Sequence, residues 1–66
     1  MKFKELKKVM SEYSTIEVHY TDSNGRYDYL PCYVPGLDGH RHDDDKVTGI
    51  ECNVEKRVLT VHLKAY

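Results

Sequence analysis

Residues 50–63 constrain this chain more than any other stretch. Ile50 and Cys52 alternate with Glu51 and Asn53, and Leu59, Val61 and Leu63 alternate with Thr60 and His62. A period of two marks strands with one buried face, so Ile50 to Leu63 reads as a β-hairpin turning at Val54 to Arg57. Two apolar rows on one face demand a cover. Phe3, Leu6, Val9, Met10 and Tyr13 fall at spacings of three and four, which predicts an amphipathic helix from about Lys2 to Tyr13. The expected architecture is α+β, an N-terminal helix packed on one face of a four-stranded antiparallel sheet in the order α-β-β-β-β.

The other two strands come from the middle of the chain. Ile16-Glu17-Val18-His19-Tyr20 alternates strictly, and Asp22-Ser23-Asn24-Gly25 is the strongest turn signal present. The next strand runs from Arg26 to about Val34. Pro31 has no N–H to donate and places that strand at an edge or a bulge. A two-residue loop at Asn24-Gly25 would turn the tyrosines inward. A three-residue loop with Gly25 as the left-handed residue instead pairs Val18 with Leu30 and Ile16 with Cys32. The second is favoured because it buries Leu30, Cys32 and Val34 and leaves Tyr27, Tyr29 and Tyr33 on the open face beside Glu17, His19 and Thr21.

With 66 residues the chain makes a single domain over 1–66, and so short a chain buries only about 60% of its unfolded surface. Nearly every apolar side chain is then committed to packing, which argues against an enzyme with an enclosed site. Lys2, Lys4, Lys7 and Lys8 give residues 1–14 a positive balance, to be carried on the solvated face of the helix. Residues 15–46 are acidic, and Lys56, Arg57 and Lys64 make the C-terminal part slightly basic. The acidic middle disfavours direct nucleic-acid contact and suits a basic partner such as a nucleic-acid-binding protein. No continuous apolar run suggests a signal peptide or a membrane span, and a cytoplasmic location is expected. Cys32 and Cys52 are expected as reduced, buried thiols, with a disulfide between them the alternative if their strands pair.

Few groups offer chemistry. His40, His42 and Asp43, with Asp44 and Asp45, form the densest set of candidate metal ligands, in a loop from Pro35 to Lys46. Cys32 is expected to face away from His19 and His62, so no thiol–imidazole pair forms, and no phosphate-binding glycine loop precedes a helix. No cofactor is expected. The favoured contact surface comprises Tyr27, Tyr29, Tyr33, Glu17 and His19 with Asp43, Asp44 and Asp45, because tyrosine gives large amphipathic contact area at low entropic cost. Self-association through an exposed edge of the second or fourth strand is compatible with it.

The pattern of Phe3-Lys4-Glu5-Leu6-Lys7-Lys8-Val9-Met10, the strand Ile16-Glu17-Val18, and the pair Val47 to Ile50 with Val58-Leu59-Thr60-Val61-His62-Leu63 resembles small proteins encoded by bacteriophages and prophages of Firmicutes. In size, layout and acidic middle it also looks like some anti-CRISPR proteins. That resemblance implies a non-enzymatic inhibitor that engages a host protein.

Overall fold

The computed structural model describes residues 1–34 and 42–65. Its strands are Thr15–Thr21 (β1), Tyr27–Leu30 (β2), Lys46–Asn53 (β3) and Val58–Lys64 (β4), joined in one sheet in the order β2-β1-β4-β3. β1 pairs antiparallel with β2, and β3 with β4. The central strands β1 and β4 run parallel, with Val18 beside Val61 and Tyr20 beside Leu63. The sheet is therefore mixed, which corrects the all-antiparallel expectation and moves the fourth strand from an edge to the middle. Burial gives the reason. β4 and β1 carry the side chains most in need of cover, Leu59, Val61, Leu63, Ile16 and Val18, all at most 4% exposed, and central positions shield them best. β2 and β3 are left as the edges.

The N-terminal segment is not an α-helix, and no α-helix occurs among the described residues. It forms two separate 3₁₀ turns, Phe3–Leu6 and Met10–Glu12. Its backbone bonds are of the i to i+3 kind, Val9 to the Leu6 carbonyl at 3.0 Å and Tyr13 to the Met10 carbonyl at 3.1 Å. The cause is a distance to be covered. Lys2 bridges to Lys46 at the start of β3, and the Ser14 N–H donates to the Arg57 carbonyl beyond its far end. A strand the length of β3 reaches about 23 Å. An α-helix between those anchors would span roughly 18 Å, against roughly 24 Å at the 3₁₀ rise. The anchors hold tightly: Arg57 donates through Nε and Nη2 to the Glu12 carbonyl at 3.2 and 2.9 Å. Phe3, Leu6 and Met10 still face the sheet, whereas Val9 is 41% exposed.

The β1–β2 turn adopts the three-residue form. Val18 lies opposite Leu30 and Thr21 opposite Tyr27. Gly25 takes φ +83° and donates to the Asp22 carbonyl, while the Asp22 carboxylate accepts from the N–H groups of Asn24 and Arg26. Glycine meets this left-handed position without steric cost.

The alternation does not survive Pro31. The Tyr33 N–H donates to the Ile16 carbonyl, one residue beyond the register that pairs Val18 with Leu30. The extra residue turns Tyr33 into the core at 3% exposure, edge-on to Phe3 with ring centroids 5.1 Å apart. Cys32 and Val34 are exposed in consequence, the reverse of the expectation for all three. Cys52 is exposed as well, although it shares a ladder position with buried Leu59, because β3 is an edge that the N-terminal segment covers only in part.

Candidate functional site

The two faces of the sheet have opposite characters. One carries the core, and the other is uncovered among the described residues. On that open face the ladders place Tyr29, His19, His62 and Gly49 in one row across all four strands. The rings of Tyr29 and His19 have centroids 4.7 Å apart at 30°, and those of His19 and His62 are 4.8 Å apart at 18°. Tyr27 lies against His19 as well, at 5.8 Å and 29°. Near-parallel rings at the spacing of adjacent strands must be stacked in offset fashion, with faces toward one another and edges toward solvent.

Polar tips fix these rings in place. The Tyr27 hydroxyl and His19 Nδ1 are hydrogen-bonded. The Thr60 hydroxyl donates to Glu17 Oε2 at 3.2 Å. Desolvation, followed by the charge and hydrogen bond of Glu17, raises the Tyr29 pKa above the ordinary 10.0, so its phenol holds its proton. Tyr27 and Tyr29 are nonetheless 62% and 41% exposed. Charge divides the face. The row on one side of the rings ends in Lys64 and Lys46, directly opposite each other, and the row on the other side carries Glu17, Thr60 and Glu51.

Four of the expected contact residues, Tyr27, Tyr29, Glu17 and His19, thus gather on the open face. Tyr33 does not, for the register shift described above. Asp43, Asp44 and Asp45 do not either, because they meet the N-terminal segment. Lys7 Nζ is 2.5 Å from Asp43 Oδ1, and Lys2 and Lys4 lie within 3.7 Å of Asp44. The Phe3 and Lys4 N–H groups donate to the carbonyls of Asp45 and Asp43. The basic start of the chain is therefore ion-paired with Asp43 and Asp44, although the Asp44 side chain stays 71% exposed. Lys2, Lys4 and Lys7 are likewise engaged rather than merely solvated.

The expected metal site lies partly outside the described residues. His42 is 4% exposed, its Nδ1 lies 2.8 Å from Asp45 Oδ2, and its ring packs on Tyr20 at 4.5 Å. Its neighbour Asp43 is held by Lys7, and His40 lies outside the described residues. No cluster of three or more metal-ligating side chains with metal-binding geometry occurs among the described residues. His42 has the surroundings of a structural residue that closes the core beneath Tyr20.

His62, Gly49, Lys46 and Lys64 are the members of the open face that sequence reasoning missed. Alternation points His62 away from the core, but its contact with His19 depends on the parallel β1–β4 pairing, which strand alternation does not encode. No helix among the described residues is long and apolar enough to cross a membrane. Comparison with protein-family models, with curated proteins and with solved structures finds no match to the chain.

Proposed function

We propose that this protein is a non-enzymatic binding domain that holds a protein partner against the open face of its sheet, with Tyr27 and Tyr29 as the main contacts and His19 and His62 beside them. The observation that carries this reading is the pair of exposed tyrosines already locked by stacking and by their hydroxyl partners. Aromatic side chains held in one conformation lose little entropy on binding, and tyrosine is enriched where binding energy concentrates. The ring faces inside the row are occupied by one another, which favours a protein surface meeting the ring edges over nucleobases, which need free faces. The flanking charges add direction: Lys46 and Lys64 suit acidic groups of the partner, and Glu17 and Glu51 suit basic ones. The resemblance to phage-encoded proteins names the partner's source as the host cell, and the inhibitor role belongs to this same proposal.

The test is capture from host lysate by the wild type and by a Tyr27→Ala, Tyr29→Ala double variant whose fold is verified by circular dichroism. A partner retained by the first and lost by the second supports the reading. Equal retention by both removes the open face from the interaction.

A further inference from the structure

We propose that a second copy of this chain pairs antiparallel with the outer edge of β3 over residues 48–52, about a two-fold axis at Ile50. Three independent features converge on that edge.

The first is the length of edge left open. The start of β3 is covered, since Lys2 bridges to Lys46 and the Val47 N–H donates to the Met1 carbonyl. At the other end β3 stops at Asn53, where the chain turns. Among the described residues nothing pairs with the outer edge between these two stops, and the middle of the open stretch is Ile50. An unpaired strand edge is a template for another strand.

The second is where apolar surface is exposed. Ile50 is 42% exposed although its ladder partner Val61 is fully buried, so Ile50 extends the core side of the sheet to a rim that nothing described covers. Met1 and Val54, 64% and 80% exposed, lie at the two stops of the same edge. A two-fold axis at Ile50 sets the two Ile50 side chains against each other on the core side of a continuous eight-stranded sheet. It also brings Met1 of each copy toward Val54 of the other.

The third is charge. In this register Glu51 of one copy lies opposite Gly49 of the other. The space above Gly49 holds no side chain of its own, and a Cβ built there would have His62 as its nearest neighbour at 3.5 Å. The incoming carboxylate therefore reaches toward the His62 imidazole, lengthening the row Tyr29, His19, His62 by an acidic group from the second copy. Shifting the axis to Glu51 would set the two Glu51 carboxylates face to face, which opposes that register.

Sedimentation equilibrium under reducing conditions tests the proposal. The wild type should approach twice the 7.7 kDa of one chain as concentration rises. Ile50→Lys should keep its circular dichroism spectrum and sediment as a single chain. In a Cys32→Ser, Cys52→Ser background, Ile50→Cys should form a disulfide-linked pair on mild oxidation, which reads the register directly even if the lysine variant fails to fold. A single-chain mass at every concentration overturns the proposal, whether the edge then serves another protein or none. So does a dimer that persists in folded Ile50→Lys, or a dimer that Ile50→Cys fails to link. Sedimentation does not read the Tyr27 and Tyr29 contact, and capture does not read the β3 edge, so either proposal can fail without the other.

Discussion

Lys7 and Asp43 form an ion pair in which both side chains are about four-fifths shielded from solvent, at 21% and 19% exposure. It ties the N-terminal segment to the stretch that leads into β3, and the hydrogen bond to Asp43 raises the Lys7 pKa above the ordinary 10.5, with the Tyr33 hydroxyl adding to the effect. Removing the ammonium leaves a shielded carboxylate without its cation. Lys7→Met is expected to cost about 1–3 kcal/mol in urea unfolding, more than an exposed pair would contribute.

The same pair sets an alkaline limit. A lysine whose folded pKa lies above its unfolded value stabilises fully below about pH 10.5, and that contribution is lost as pH rises through the folded value. Tyr29, also raised, acts in the same direction from about pH 10.0 upward. Thermal melts from pH 8 to pH 11 should therefore show the midpoint falling only above about pH 10. Lys7→Met should flatten part of that fall.

Arg57 is a non-glycine residue in the left-handed region, with φ 56°. That conformation costs an L-residue about 1–2 kcal/mol, and the guanidinium bonds to the Glu12 carbonyl help to offset it. Arg57→Ala keeps the strain and loses the bonds, whereas Arg57→Gly loses both. The glycine variant should be more stable than the alanine variant by about 1 kcal/mol, measured by urea unfolding.

Tyr33 should behave as a core residue. Tyr33→Ala is expected to cost about 3–5 kcal/mol, the range for emptying a buried aromatic site, and so to leave little folded protein. Tyr27→Ala lies on the solvent face and should cost under about 1 kcal/mol. Equal effects of the two substitutions on the melting midpoint would contradict the placement of Tyr33 beneath Phe3.

Lys46 and Lys64 face each other across the β3–β4 ladder, and neither has an ion-pair partner among the described residues. Like charges directly opposite destabilise a sheet, so Lys64→Glu should raise stability by about 0.5–1 kcal/mol. If the basic end of the open face meets acidic groups of a partner, the same variant binds that partner more weakly. A variant that is stabler and binds equally well would separate the two lysines from recognition.

Strand positions, the β1–β2 turn and the one-sided burial of β1 and β4 were determined by the sequence alone, because each rests on contacts among residues close in the chain. Alternation places Ile16 and Val18 on one face and His19 on the other, and the run Asp22-Ser23-Asn24-Gly25 sets the loop length through a single left-handed glycine. The sequence also contained the reason that this reading fails at Tyr33. Pro31 marks a bulge, but whether the chain resumes its old parity after it depends on what lies beneath, here Phe3. Tertiary structure decided the rest. The spacing of Phe3, Leu6, Met10 and Tyr13 suits a helix, yet the anchors at Lys46 and Arg57 are too far apart for one, so the same apolar stripe is drawn out into 3₁₀ turns. Lys7 and Asp43 are far apart in sequence, and only folding shows that N-terminal lysines meet Asp43 and Asp44. Likewise His19 meets His62 because β4 enters between β1 and β3, an arrangement set by which strands most need burial and not by any local pattern.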